Sequence, residues 1–242
     1  PMDSPLLTQP LAPGAGGSAF HTGGKRWASR ADREWWTRAA GGRGQRLGGL
    51  AMPSSAAFDR VLQANPDGHR VLVVDPGTRE VVGAIEDVAT PGGIAIAADG
   101  RRVFVTIRGA QTLDVVDVRT LEVFKRIALS GTPSDVDTAA DGVRSYVGIR
   151  GETGGVDVID ARSLIRTDYI PVDGSVESVR LSPDGTHLFV GTPELPVLQG
   201  IDVVSHDAVT WRVALDAGVE TMDFVKRGDG STRYIVAQVS GQ

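Results

Sequence analysis

The chain has 242 residues, of which 41% are hydrophobic, 23% charged and 31 are glycine, so it is long enough to bury a sizeable core and rich in turns rather than in long helices. It has no cysteine, which excludes a disulfide scaffold, a thiolate nucleophile and a zinc–thiolate site. The charge is uneven: residues 1–50 carry seven Lys or Arg against three acids, whereas 51–242 carry 18 against 27. An acidic body excludes a nucleic-acid groove, which needs a basic field.

No apolar stretch reaches the roughly 18 residues of a membrane span, and no apolar run follows a charged start at the N-terminus. Residues 1–20, rich in Pro, Gly and Ser, read as a flexible tail within a leader of residues 1–47. From 48 onward the chain repeats itself with a period of about 43 residues. Apolar runs recur at Val71-Leu72-Val73-Val74-Asp75, Leu113-Asp114-Val115-Val116-Asp117, Val156-Asp157-Val158-Ile159-Asp160 and Ile201-Asp202-Val203-Val204-Ser205. Asp-Gly pairs at 99–100, 141–142, 184–185 and 229–230 keep the same spacing.

Each unit resolves into four short strands, A to D. Strand A, such as Gly93-Ile94-Ala95-Ile96-Ala97, ends at an Asp-Gly turn whose tolerance of positive φ closes a tight hairpin into strand B, such as Arg102-Val103-Phe104-Val105-Thr106. Strand C is the valine-rich run. It closes with Asp-x-x-Thr/Ser at Asp75/Thr78, Asp117/Thr120 and Asp160/Ser163, where the carboxylate can accept backbone N–H groups. Strand D follows as Glu80–Ile85, Glu122–Ile127 and Val209–Val213. On strand A one set of alternating residues (Ile94, Val136, Val179, Met222) is apolar and predicted to lie between blades. The other set (Ala95, Asp137, Arg180, Asp223) is small or charged and predicted to lie near the axis.

Four-stranded antiparallel units at this spacing define an all-β propeller, because one twisted sheet cannot bury both faces until neighbours stack on it. Strand A of the earliest unit is Gly48-Gly49-Leu50-Ala51-Met52, giving four complete repeats and strands A and B of a fifth. Two outcomes stay open. Arg26–Ser29 and Arg33–Ala39 of the leader supply missing outer strands and close a five-bladed ring, or the chain is a piece of a seven-bladed one.

Pro183-Asp184-Gly185, Leu188-Phe189-Val190 and the valine-rich runs resemble the YVTN-type repeat over residues 48–242. That family is similar to the haem domain of nitrite reductases and to lactonase-like seven-bladed propellers. The Trp-Asp and Gly-His pairs of WD repeats are absent. The resemblance implies architecture far more than activity, and it leans towards an exported or periplasmic protein.

Ligands of propellers gather where the D-to-A loops (88–93, 130–135, 172–177, 214–220) meet the B-to-C loops (65–70, 107–112, 149–155, 191–200) at one mouth of the channel. There the candidate ligand-binding residues are Asn65, Arg108, Asp135, Arg150, Glu177 and Glu220, with Ser134, Glu177 and Glu220 at one level of the repeat. His21, His69, His187 and His206 are scattered, so no haem or multi-histidine metal site is predicted. No catalytic motif stands out. We expect a monomeric, non-catalytic scaffold with no cofactor that binds a protein or a small molecule on its loop face. The alternative implied by the resemblance is a lactonase-like hydrolase whose channel carboxylates hold a divalent cation.

Overall fold

A computed structural model of the chain describes residues 60–204, 209–226 and 232–239. The leader, the strand expected at 48–52, the closing strands expected at 26–39, His21, His206 and the Asp-Gly pair at 229–230 lie outside the described residues.

Every element among the described residues is a β-strand. The first sheet holds β1 (Val61–Asn65), β2 (Arg70–Asp75) and β3 (Glu80–Ile85). Three four-stranded meanders follow. They are β4 (Pro91–Ile96) to β7 (Glu122–Ala128) through β5 (Arg102–Ile107) and β6 (Thr112–Asp117), then β8 (Pro133–Thr138) to β11 (Ile165–Pro171) through β9 (Arg144–Ile149) and β10 (Gly155–Asp160), then β12 (Ser178–Leu181) to β15 (Trp211–Ala214) through β13 (His187–Gly191) and β14 (Val197–Asp202). The antiparallel pair β16 (Val219–Lys226) and β17 (Thr232–Val239) completes the set. The inner strands β4, β8, β12 and β16 lie side by side in that order, as they do around the axis of a β-propeller. No helix among the described residues is long and apolar enough to cross a membrane.

The turns explain the hairpins. Gly100, Gly142 and Gly185 take φ of 64°, 68° and 71°, and the carboxylate of the preceding Asp accepts the amide of Arg101, Val143 or Thr186. In the C-to-D turns the positive φ falls on Arg79, Leu121 and Leu164, each beside a β-bulge in the ladder. Oδ1 of Asp75, Asp117 and Asp160 accepts the amide two residues on, at 2.7–2.8 Å.

The fourth of these turns corrects the repeat register. Asp202 Oδ1 accepts the Val204 amide at 2.8 Å, so Asp202, not Ser205, is the equivalent of Asp160, and strand C is Val197–Asp202. Val203 and Val204 lie in the turn that follows it, and strand D starts at Trp211. Two valines beside an apolar run imitate a strand in sequence; the carboxylate turn decides where the strand ends.

The core lies between blades. Val71, Ile85 and Val88 meet Ile94, Val103 and Val105; Phe104, Leu113 and Val115 meet Val136, Val147 and Ile159; Tyr146, Val156 and Val158 meet Val179, Leu188 and Ile201. Burying each such side chain stabilises by roughly 1.5–3 kcal/mol, so neighbouring blades stabilise one another. Polar ties reinforce the stacking. Arg102 Nη1 donates to Ala161 O, and Arg144 Nη1 to Val203 O, in each case in the next blade. Two of the connections between blades are fastened on both sides. Leu129 N donates to Gln111 O in the blade being left, and Ser130 N to the buried Asp157 in the blade being entered, at 2.7 Å. One blade further on, Val172 N donates to Gly154 O, and Asp173 N to Gln199 Oε1 at 3.0 Å.

Candidate functional site

Arg108 follows β5 and Arg150 follows β9 at equivalent positions of two successive blades. Both are set by the same backbone bond: Arg108 N donates to Thr90 O at 3.2 Å, and Arg150 N to Thr132 O at 2.8 Å. The corresponding residues of the flanking blades are Pro66 and Pro193, which carry no charge. Glu177 immediately precedes β12 in the blade after that of Arg150, with its own amide donating to Gly191 O at 2.9 Å. Three blades therefore contribute one charge each to this end of the inner strands.

Arg150 Nη2 is hydrogen-bonded and ion-paired to the Glu177 carboxylate. Arg108 Nη2 stands 3.9 Å from Glu177 Oε1, an ion pair too long for a hydrogen bond. A Cβ added at Gly92 would lie 3.2 Å from Arg108 Nε, so the bare backbone there leaves room for the guanidinium to lie across β4. Burial lowers the pKa of Arg108, and the neighbouring charge of Arg150 lowers it further against the pull of Glu177 and Asp135. Burial pushes the Glu177 carboxyl up, opposed by the two arginines.

Behind this surface triad lies a buried one. Asp135 sits inside β8 and accepts from Arg180 Nη1 at 2.8 Å, from Val179 N at 3.3 Å and from Val136 N at 2.9 Å. Asp137 accepts the amides of Leu181 and Thr138, both at 2.8 Å. Burial raises both carboxyls, with Arg180 opposing. Burial also works against the Arg180 charge, but Asp135, Asp137 and Asp223 outweigh it and hold the guanidinium above its ordinary value. The directions agree, because one cation faces more carboxylates than it can neutralise.

The structure therefore brings Arg108, Arg150 and Glu177 together, and places Asp135 within electrostatic reach of Arg108 and Glu177 but buried, as the partner of Arg180 rather than at an open rim. Asn65 stays apart: at the end of β1 its Oδ1 accepts the Gly68 amide at 3.1 Å and closes its own turn. Glu220, in β16, is half-buried and joins no ion pair with the others among the described residues. Ser134 is buried and donates to Gly148 O at 3.1 Å. His69 Nδ1 accepts the Thr90 amide at 3.4 Å, and His187 pairs with Thr186 beside the Asp184-Gly185 turn.

Arg180 and Asp137, expected near the axis, bridge neighbouring inner strands: Asp137 of β8 accepts from Leu181 N of β12, and Arg180 of β12 donates to Asp135 of β8. The readable signal was Arg180 standing where the neighbouring repeats carry Asp137 and Asp223, an alternation of sign at one repeat position. Two shallow depressions lie away from the inner strands, one on β7 lined by Val123, Phe124, Lys125 and Arg126 and one lined by Arg144, Val158, Thr167 and Asp168. No group of three or more His, Asp or Glu among the described residues is placed to hold a metal ion.

No protein-family model and no curated protein matches the chain. Among solved structures it is similar to hydrazine synthase of Kuenenia stuttgartiensis, at 24% identity and a TM-score of 0.64, over 77% of this chain. The match spans 57% of that protein's chain. At this identity the likeness is one of fold, and it agrees with the propeller blades seen here.

Proposed function

We propose that the protein is a non-catalytic β-propeller scaffold, of the YVTN repeat type its sequence resembles, that binds a ligand at the loop end of its inner strands. The observation that carries this reading is the convergence of Arg108, Arg150 and Glu177 from three consecutive blades onto one surface point. All three stand directly beside strand ends, and partly exposed guanidiniums anchored on a rigid frame are well suited to recognition. The likeness to hydrazine synthase carries a fold and no chemistry to this chain.

The lactonase-like alternative needs Glu177 and its neighbours to hold a divalent cation. Glu177 is instead engaged by two cations of the protein itself. Incubating the full chain with a panel of lactones, with and without calcium or manganese, separates the two readings. Ligand-induced shifts in melting temperature without turnover are expected. Turnover that requires the metal and disappears in Glu177→Gln would replace the scaffold by a hydrolase.

A further inference from the structure

Arg108 presents five N–H donors, and none of them donates a hydrogen bond to another described residue. Its Nε is buried without an acceptor among the described residues, and so is the Nε of Arg150, whose bond to Glu177 is made through Nη2. The two guanidiniums therefore keep hydrogen-bonding capacity that no described residue takes up. The charge agrees with the hydrogen bonding. Of the carboxylates near them, Glu177 alone is ion-paired to the two guanidiniums; Asp135 is paired to Arg180 and acts on Arg108 only from a distance. The side chains of Arg108 and Arg150 are 34% and 33% exposed, open enough for a small molecule to reach.

We propose that Arg108 and Arg150 together receive one carboxylate group of a small-molecule ligand, with Glu177 as the built-in counter-ion. The proposal rests on the reading that this end of the blades is a ligand face. A carboxylate suits the site on two grounds. Its planar pair of oxygens matches the fork of a guanidinium, as Glu177 already does on Arg150. Its single negative charge suits two guanidiniums that are ion-paired to one carboxylate, whereas a phosphate dianion would bring more charge against Glu177.

The test is a titration of the ¹⁵N-labelled full chain, read at the arginine Nε–Hε resonances and assigned with Arg108→Lys and Arg150→Lys. The probes are sodium acetate, sodium succinate, sodium phosphate, glucose and putrescine, each against sodium chloride at equal ionic strength. Acetate and succinate are expected to shift both Nε–Hε signals saturably. Arg108→Gln should weaken succinate at least tenfold, and Glu177→Gln should strengthen it severalfold. If Arg108→Gln does not fold, Arg108→Lys, which keeps the charge and loses the fork, should show a smaller loss in the same direction.

Shifts no larger than those from chloride, unchanged affinity in the Arg108 variants, or a tenfold preference for phosphate would each overturn the carboxylate assignment. If glucose or putrescine perturbs these resonances while carboxylates do not, the assignment falls and the ligand face stands. If no probe perturbs them, both fall.

Discussion

Arg180 Nη1 lies 2.8 Å from Asp135 Oδ2, joining the inner strands of two neighbouring blades through side chains that are 12% and 6% exposed. Removing one partner of such a pair strands the other in a low dielectric and typically costs about 3–5 kcal/mol. Arg180→Met should lose stability on that scale by chemical denaturation, and Asp135→Asn added to it should restore part of the loss. The deficit should also depend on pH. Burial raises Asp135 and Asp137 in the folded state, so their contribution is present at low pH and is lost as pH rises through the folded value. Without Arg180 that loss grows, so the deficit of Arg180→Met should be larger near pH 8 than near pH 5. An equal deficit at both values would mean that the carboxylates are not charged against one another.

Asp184 titrates in the opposite sense. Ser182 Oγ, the Thr186 amide and Thr186 Oγ1 donate to its Oδ1 and lower its pKa to about 2. A carboxylate depressed by folding stabilises above its unfolded pKa and loses that contribution as pH falls through the folded value. Asp184→Ala should therefore lower the melting temperature more at pH 6 than at about pH 2, where the two proteins converge. Parallel melting curves across that window would contradict this turn as the source of the shift.

Asp157 fastens the connection entering its blade. Its side chain is fully buried, accepting from Ser130 N at 2.7 Å and from Arg166 Nη1 at 3.2 Å. Asp157→Ala leaves the Ser130 amide unmatched and should cost about 1–3 kcal/mol. Amide exchange at Ser130 should accelerate in the same variant, whereas Asp157→Asn, which keeps an acceptor, should protect that amide better.

The indole of Trp211 lies flat against the backbone of Gly200 across the β14–β15 pair, and its ring meets Phe189 edge-on at 5.3 Å between centroids. A Cβ at position 200 would overlap Trp211 Cε2. Gly200→Ala should therefore destabilise by about 1–3 kcal/mol, as overpacking does. The double variant Gly200→Ala/Trp211→Val should fall short of the sum of the two single losses; strict additivity would show that the methyl and the indole never compete.

Strand positions were readable because β-branched runs and Asp-Gly turns report local geometry directly, as at Val103–Thr106 and Gly100. The slip at Val203–Val204 came from treating apolarity as the boundary marker, although Asp202 holds the repeat spacing from Asp160. Glu177, Arg108 and Arg150 could be placed at one end of the blades from loop position alone. Their pairing could not, because it depends on the angle between three sheets. The burial of Asp135 is illegible for a related reason: it sits at the border of loop and strand, and only the approach of β12 makes it a buried acceptor.

The double fastening of the connections has a consequence for building chimaeras from this chain. Ser130 and Asp173 each begin a passage whose far anchor, Asp157 or Gln199, is some 26 to 27 residues downstream, so those two links leave little slack at the joint between neighbours. A graft cut between β7 and β8 would transplant a sheet without the contact that fixes its angle. An exchangeable module has to carry its entry link together with the strand-C side chain that grips it, or the recipient will accept the blade and lose its pitch.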